Sequence, residues 1–479
     1  MKKIYFIPGS QDLYGEECLK QVAYDCSRIV DFFNEKLGDS IRFELLPTVE
    51  TSEICVKNMR VVENDDDCVG VITWMHTFSP AKMWIKGLQI LRKPLLHLHT
   101  QANEKLPYDK IDMDFMNLNQ AAHGDREYGY ILARLNIPHH VVAGYYKHES
   151  VIKKIKQFAD VARAIAVSRN TRVATFGNNM RDVSVTDGNR LDAEIKYGWE
   201  IKYWGIGEIA DLVKNVTDSE ADAKLREYTI KYTMATDNVE AVREQAKYDI
   251  AFRRFLEKNK CTAFTDNFQD LHGLKQLPGL AAQELMASGY GFGPEGDYKI
   301  AAFSAVLMEM AAGREGATGF MEDYTYDLTE GEELELASHM LEVPVAFAAD
   351  KPEIQVHPLG IGGKEDPARL VFEAAPGDGI QVTLIDMGDH FRIVCADIEF
   401  VKQPAAMPNL PVARLMYRLK PDFATGSAAW IYAGGAHHSV ASTALTRSDI
   451  ALFAKLTGTE LITIGDDTTE EDLQKYYMV

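Results

Sequence analysis

The sequence predicts a multidomain α/β protein in which two doubly wound α/β domains precede an antiparallel β domain. The chain has 479 residues, which is too long for one compact core. Strand and helix signals alternate at first, and short strands punctuated by glycine and proline dominate from roughly residue 325. We therefore expect three domains, at residues 1–170, 171–324 and 325–479.

The first predicted domain alternates short apolar runs with amphipathic helices. The strand-like runs are residues 4–7, 41–46, 68–74 and 94–97. The predicted helices are residues 16–37, 80–92 and 149–167. In the first of these helices, apolar residues recur three or four positions apart, which predicts one buried stripe. Alternation of this kind indicates a parallel sheet with helices on both faces.

The second predicted domain continues the alternation and the third abandons it. Strands are predicted at residues 172–176 and 200–204, and helices follow from Glu208 and through Phe255 and Leu280. In the third domain the predicted strands are residues 343–347, 353–357, 370–373, 380–385, 391–398 and 415–418. Their spacing is typical of an antiparallel barrel or sandwich, and a helix at residues 448–456 is predicted to close the chain.

Charge and composition narrow the classes of partner and compartment. The formal net charge is −20 and no stripe of lysine and arginine offsets it, so nucleic acid is disfavoured as a partner. The six cysteines include no C-x-x-C pair, so a zinc ribbon or thioredoxin-type motif is absent, and their sparseness fits a reducing compartment. The longest stretch of low polarity, residues 301–313, contains Glu309 and is too short to span a bilayer. We expect a cytoplasmic protein without a membrane partner.

Polar motifs follow several predicted strands of the first domain, where ligands bind in open α/β sheets. The segment GSQDLYG, residues 9–15, is either a substrate loop or a turn in which Gln11 or Asp12 caps a helix. His76 is either a ligand-binding group or a satisfied histidine at a strand end. Residues 117–127 are dense in amide, imidazole and guanidinium groups, which suit a polyhydroxyl ligand, an interface, or a patch of caps and salt bridges.

Acids and histidines later in the chain offer a metal site. These candidates are Glu295, Glu322, His339, His437 and His438. Two carboxylates and two imidazoles on separate elements suit an octahedral Mn²⁺ site with positions open for substrate oxygens. Such carboxylates also suit the proton transfers of an aldose–ketose isomerisation. Each residue alone equally fits a surface charge or a structural histidine, and their spacing forms no local metal signature.

Ten segments, spread in order from residue 9 to residue 438, resemble motifs of the L-arabinose isomerase family. They are GSQDLYG, WMHTFSPAKMW, DMDFMNLNQAAHGDRE, FGNNMRDVSVTDG, DLHGLKQLPGL, GYGFGPEGD, FMEDYTY, ASHMLEV, LGIGGKEDPARL and AGGAHH. The resemblance implies two Rossmann-like domains followed by a β-barrel. It also implies conversion of L-arabinose to L-ribulose through an enediol, with D-galactose to D-tagatose as a side reaction. The resemblance further implies one Mn²⁺ per subunit and a homohexamer with sites shared between subunits.

The resemblance also assigns roles to individual residues. The implied metal ligands are Glu295, Glu322, His339 and His438, the last in preference to the adjacent His437. The two glutamates are the implied catalytic acid/base pair. The implied substrate contacts are Gln11, Leu13, His123, Met180 and Phe268, with His123 supplied by a neighbouring subunit.

Two departures from the family motifs concern the metal affinity and the sugar preference. Pro294 precedes the first glutamate where relatives carry a small residue, and Ala337 replaces a glycine before Ser338.

Two other functions stay open. One is a related ketol isomerase acting on another sugar, and the other is a sugar-binding protein without catalysis.

Overall fold

The computed structural model describes residues 1–361 and 363–475 and divides into two compact units. Unit 1 comprises Met1–Ala166 and Leu452–Gly458, and unit 2 comprises the rest of the described chain. Gly362 of the LGIGGKEDPARL motif and residues 476–479 of the third predicted domain lie outside the described residues. Within the described ranges, no helix is long and apolar enough to cross a membrane.

Unit 1 is built on a five-stranded parallel sheet with the order β2-β1-β3-β4-β5. Its strands are β1 (Lys3–Gly9), β2 (Arg42–Leu45), β3 (Cys68–Met75), β4 (Leu95–His99) and β5 (His140–Ala143). The helices are α1 (Gly15–Leu37), α2 (Ser52–Asn64), α3 (Ile85–Leu88), α4 (Met113–Leu118), α5 (Ala121–Arg134) and α6 (Glu149–Ser168). Every residue of β3 is buried, as expected for a strand covered on both faces. The chain places β2 on one side of β1 and β3 on the other, so the direction of strand addition reverses at β1. The carboxyl end of β1 is therefore a switch point of the sheet.

The first part of unit 2 is a second parallel sheet, with the order β10-β9-β6-β7. The strands here are β6 (Arg172–Phe176), β7 (Glu200–Trp204), β8 (Thr233–Met234), β9 (Ala263–Asp266) and β10 (Gly291–Phe292), of which β8 joins a separate sheet. The helices are α7 (Arg190–Tyr197), α8 (Gly207–Lys214), α9 (Asp218–Lys231), α10 (Val239–Asn259), α11 (Gly279–Ala287) and α12 (Tyr298–Ala311). This sheet directs the loops after β6, β9 and β10 to one edge.

The second part of unit 2 is a closed antiparallel barrel of six strands. They are β11 (Thr318–Asp327), β12 (Leu334–Ser338), β15 (Gly377–Asp386), β16 (Phe391–Val401), β17 (Leu415–Leu419) and β18 (His438–Ser442). A three-stranded sheet joins β8 to β13 (Glu353–Val356) and β14 (Ala368–Val371). The remaining elements are α13 (Phe423–Tyr432), α14 (Arg447–Thr457), β19 (Glu460–Ile464) and α15 (Glu470–Lys475).

The predicted fold class is confirmed, with parallel α/β sheets followed by a barrel, and three local predictions are wrong. Residues 343–347 are not a strand, because Pro344 has no N–H for a ladder, and Val345–Phe347 form a 3-10 turn. The helix predicted at residues 80–92 shrinks to a 3-10 turn and the short α3. The helix α14 does not close the chain, since β19 and α15 follow it. The three-domain division stays a prediction.

Candidate metal centre

Glu295 lies in a tight turn between β10 and α12. Its backbone is left-handed, with φ +61°, which is costly for a residue with a side chain and is often found at functional sites. The Glu295 carbonyl accepts the Met180 N–H at 2.8 Å, and the Gly296 N–H donates to the Asp266 carbonyl at 3.0 Å. A Cβ atom on Gly296 would lie 2.5 Å from the Asn179 Cα atom, so only glycine allows this approach. The backbone therefore fixes where the Glu295 carboxylate projects.

Glu322 is placed by the register of the barrel strands. In β11 it pairs with His438 of β18 on one side and with Ser338 of β12 on the other. Because His339 directly follows Ser338, the register brings His339 and His438 to the two sides of Glu322. The Glu322 Oε2 atom lies 3.5 Å from His339 Nε2, and the Glu322 Oε1 atom lies 3.8 Å from His437 Nε2. Residues far apart in sequence thus meet through strand pairing.

Each of the two buried histidines is oriented by a carboxylate on its Nδ1 atom. His339 Nδ1 pairs with Glu342, and His438 Nδ1 lies 3.1 Å from Asp297 Oδ2. Their Nε2 atoms are buried and have no hydrogen-bond partner among the described residues. His438 Nε2 lies 3.7 Å from Glu295 Oε2. A carboxylate behind the ring and an unpartnered nitrogen in front of it is the arrangement of histidines that ligate metals.

His437 also belongs to the cluster. Its ring lies 4.5 Å from the His438 ring, and its side chain keeps 39% of its exposure. Ligand atoms of Glu295, His437 and His438 lie within 4.8 Å of one another, so this trio could also hold a cation. Burial, and after it the nearby His438, lower the pKa of His437 to about 4, which leaves its nitrogens available. The geometry brings both adjacent histidines to the site.

The electrostatics of the site reflect buried acids and imidazoles facing one another. Burial raises the pKa of Glu322, with Glu295 and Glu342 adding to the rise and His339 and His438 opposing it. Burial alone would lower the pKa of His339, but the surrounding carboxylates, Glu342 first, raise it to about 9. In the chain without a cation, imidazolium and carboxylate therefore compensate each other. Carboxylate oxygens and imidazole nitrogens that face one another in this way fit a divalent cation.

Two of the predicted substrate contacts lie beside the Glu295 turn in unit 2. Met180 is half-buried and bonded through its backbone to Glu295. Phe268 is half-buried in the loop after β9, where Asn267 Nδ2 donates to the Asn178 carbonyl at 3.0 Å. The structure thus brings the loops that carry Met180 and Phe268 together at the carboxyl edge of the sheet.

The other three predicted contacts lie in unit 1. Gln11 follows β1 and is half-exposed, while Leu13 in the next turn is 80% exposed. His123 is exposed in the first turn of α5, where its ring stacks on Phe78 at a centroid distance of 4.6 Å. Its Nδ1 atom lies 3.2 Å from Gln120 Oε1. The His123 side chain is therefore held in one orientation at the surface of its own unit.

The remaining polar groups at the carboxyl edge of unit 1 pair with one another. His76 is fully buried, stacks on Trp74 and places Nε2 3.0 Å from Asp25 Oδ2. His99 Nδ1 lies 2.5 Å from Asp125 Oδ2. The Nδ1 atom of His76 is buried and has no hydrogen-bond partner among the described residues, so only one of its two ring nitrogens is paired.

Sequence reasoning missed several residues that hold the cluster together. Glu342 and Asp297 orient the histidines, and Lys299 lies 3.2 Å from the Asp297 carboxylate. Asp266, at the end of β9, is buried, and its burial together with Glu342 raises its pKa to about 8. An acid three residues after His339 was the available signal for Glu342. No pattern in the sequence pointed to Asp266.

Three family models match consecutive parts of the chain. The model described as "L-arabinose isomerase N-terminal domain" matches residues 1–170. Those described as "L-arabinose isomerase central domain" and "L-arabinose isomerase C-terminal domain" match residues 172–313 and 317–460.

Curated relatives match over almost the whole chain. A protein named L-arabinose isomerase from Halalkalibacterium halodurans is 49% identical over 471 residues, covering 97% of this chain and 94% of the relative. Proteins of the same name from Thermotoga petrophila and Oceanobacillus iheyensis are 47% and 48% identical, covering 99% and 97% of this chain and 96% and 98% of the relatives. A periplasmic sugar-binding protein from Legionella pneumophila aligns at 10% identity over 64% of this chain and 95% of that chain. Its TM-score is 0.16, and a likeness this weak carries no argument.

Proposed function

The chain belongs to the L-arabinose isomerase family, and we propose that it converts L-arabinose to L-ribulose with the help of one Mn²⁺ per subunit. The family is one of aldose–ketose isomerases. The observation that supports the proposal is a pair of close contacts, Glu322 with His339 and Glu295 with His438, which the pairing of β11 with β18 brings side by side.

We assign the cation to these four residues, with His438 preferred to His437. The preference rests on burial and orientation, because His438 is fully buried and Asp297 holds its Nδ1 atom, whereas His437 is half-exposed. A bound Mn²⁺ would act as a Lewis acid on the sugar carbonyl and its neighbouring hydroxyl. These four residues form no local metal-binding motif in the sequence. The support for this ligand set therefore comes from the geometry of the folded chain.

The two glutamates are proposed to move the protons of the reaction. Isomerisation transfers a proton between C1 and C2 and shifts protons between the two oxygens, through an enediol. One carboxylate removes the C2 proton while the other serves the hydroxyl groups. Glu295 and Glu322 are both mostly buried, at 11% and 16% side-chain exposure, so little water competes for these protons.

Met180 and Phe268 are proposed to contact the sugar, and so are Gln11, Leu13 and His123. His123 would come from a neighbouring subunit of a homohexamer. Unit 1 exposes Leu106, Tyr108, Met113 and Met116 in the segment before α5, at 45%, 83%, 64% and 52%. Exposed apolar segments of this kind commonly mark protein interfaces. This patch supports assembly without fixing the number of subunits.

Two finer proposals concern side activity and compartment. A pocket lined by Met180 and Phe268 distinguishes sugars that differ by one carbon by only modest energies, so D-galactose should yield some D-tagatose. All six cysteines are free thiols in the described chain, and five of them are buried, which suits the cytoplasm. A ketol isomerase for another sugar stays the alternative.

The first prediction is that a panel of aldoses gives most ketose from L-arabinose, and that EDTA abolishes the product until Mn²⁺ is restored. Glu295→Gln and Glu322→Gln should each lower kcat by at least about a hundredfold, because each removes a group that moves a proton. Glu332→Gln is the matched control, since Glu332 is an exposed glutamate in the turn after β11.

Three outcomes would contradict parts of this proposal. Near-normal kcat in either site variant with Mn²⁺ present would remove the assigned proton transfers. A different preferred aldose would favour the related ketol isomerase. Sugar binding without any ketose would leave a binding protein.

A further inference from the structure

The loop that carries Met180 rests directly on the turn that carries Glu295. We call residues 177–189, between β6 and α7, the Met180 loop. Its Met180 N–H donates to the Glu295 carbonyl at 2.8 Å, and its Asn179 Nδ2 donates to the Gly296 carbonyl at 3.2 Å. The wall of the proposed sugar pocket and the turn of a proposed metal ligand are therefore in contact through backbone atoms.

Lys299, in the first turn of α12, contacts the Met180 loop and also Asp297, which follows the Glu295 turn. Its side chain is 1% exposed. The ammonium donates to the carbonyls of Val185 and Asp187 in the Met180 loop, at 2.8 and 2.7 Å. Its third neighbour is Asp297 Oδ1 at 3.2 Å. A buried ammonium needs partners for its protons and an opposite charge, and here the two carbonyls accept hydrogen bonds while the Asp297 carboxylate compensates the charge.

Asp297, which contacts Lys299, also contacts the proposed metal ligand His438. Its Oδ1 atom accepts the backbone N–H groups of Lys299 and Ile300 and so caps α12, while its Oδ2 atom lies 3.1 Å from His438 Nδ1. Asp297 is 1% exposed and lies between Lys299 and His438, in contact with both.

We propose that Lys299 is a positioning residue that couples the Met180 loop to His438. Its charge keeps Asp297 in place behind the His438 ring, and its two hydrogen bonds hold the Met180 loop against the Glu295 turn. One buried ammonium therefore sets both the cation-binding imidazole and the wall of the sugar pocket. This inference rests on the proposed function, because it presupposes that His438 holds the cation and that Met180 faces the sugar.

Lys299→Met tests the coupling, because it keeps most of the side-chain length and removes the charge and all three donors. We expect the Mn²⁺ dissociation constant, measured without sugar by the electron paramagnetic resonance of free Mn²⁺, to rise about 10–100-fold, as for lost partners of ligating histidines. Amide hydrogen exchange in residues 177–189 should accelerate as the loop loosens. At saturating Mn²⁺, the KM for L-arabinose should rise by a larger factor than kcat falls.

Lys93→Met is the matched control. Lys93 Nζ also donates to two backbone carbonyls, those of Val62 and Asp65, at 2.7 and 2.6 Å, but it lies in unit 1 and contacts no proposed site residue. This variant should leave Mn²⁺ affinity and exchange in residues 177–189 unchanged. If Lys299→Met does not fold, Lys299→Gln replaces it, because it also removes the charge and leaves a neutral polar group for the buried carbonyls.

The outcomes separate this inference from the proposed function. Wild-type Mn²⁺ affinity or wild-type exchange in the Met180 loop, in whichever Lys299 variant folds, overturns the coupling even if the other property changes. Glu295→Gln serves as the reference for the function itself. If Glu295→Gln keeps wild-type activity and affinity, the proposed metal site is wrong, whereas if it loses both and the Lys299 variant loses neither, only the coupling is wrong.

Discussion

At the scale of single residues, the candidate centre depends on carboxylates that stand behind imidazoles. Glu342 and Asp297 bond to Nδ1 atoms of His339 and His438, which leaves each Nε2 atom facing a glutamate of the cluster. Such partners fix the tautomer and the ring orientation and make the ligating nitrogen more basic. In the chain without a cation, the same carboxylates hold a proton on His339, whose pKa is raised to about 9.

The sign of the resulting pH dependence follows from that raised pKa. Below the ordinary histidine pKa of about 6.5, His339 is charged in both the folded and the unfolded chain, and its ion pair with Glu342 stabilises the fold fully. This stabilisation is lost as the pH rises through about 9, where the folded imidazolium loses its proton. Cation binding needs the neutral imidazole, so affinity for Mn²⁺ should increase over the same interval.

Glu342→Gln tests this account at the residue scale. It should weaken Mn²⁺ binding at high pH by about 10–100-fold, through lost orientation, and should move the pH dependence of binding to lower pH. The measurement is a Mn²⁺ titration of the sugar-free protein at several pH values. Asp389→Asn is the matched control, because Asp389 pairs with His390 on the surface and away from the cluster. An unchanged binding curve for Glu342→Gln would show that Glu342 has no part in the site.

At the scale of elements, the turn between β10 and α12 is the most constrained piece of the site. Gly296 has φ +86°, and an added Cβ atom would meet the Asn179 Cα atom at 2.5 Å. Gly331, between β11 and β12, has φ +80° with nothing within 4 Å of the added atom. Alanine at either position pays about 1–2 kcal/mol for the left-handed backbone, but only at Gly296 must the Met180 loop also move.

Gly296→Ala is therefore expected to lower the free energy of unfolding by more than Gly331→Ala does. It should also raise the KM for L-arabinose, because the displaced loop carries Met180. Chemical denaturation of both variants, with steady-state kinetics, checks the pair. Equal losses of stability with unchanged KM in both would show that contact between the turn and the loop does not matter for the sugar.

Some of the helices and strands could be predicted from the sequence, and others could not. The buried strand β3 and the stripe of α1 were predictable, because continuous apolar runs and 3.6-residue periodicity leave few alternatives. The strand β11 was missed, because it carries acids and its second half is exposed, so it shows no apolar run. The site shares this difficulty, since Glu322 meets His438 only through the β11–β18 register, which no local spacing encodes. Family resemblance, and not periodicity, supplied the four proposed ligands.

At the scale of the whole molecule, the proposed site residues divide between the two units. Glu295 and Glu322 lie in unit 2, while His123 lies exposed in unit 1, held by Phe78 and Gln120. Polar side chains that are ordered yet exposed in a single chain suit a role toward a neighbour. The proposal that His123 serves the site of another subunit can be tested by combining two damaged chains.

Co-expression of His123→Ala and Glu295→Gln chains provides this test. Each variant alone should be nearly inactive, because every site then lacks the same group. In mixed oligomers, a site with Glu295 from one chain and His123 from the other is complete, and random assembly makes about a quarter of the sites complete. Separately purified oligomers, mixed without exchange of subunits, are the control and should stay inactive. Activity that stays at the level of the separate variants in verified mixed oligomers would show that His123 and Glu295 act within one chain, and full activity of His123→Ala alone would remove His123 from the site.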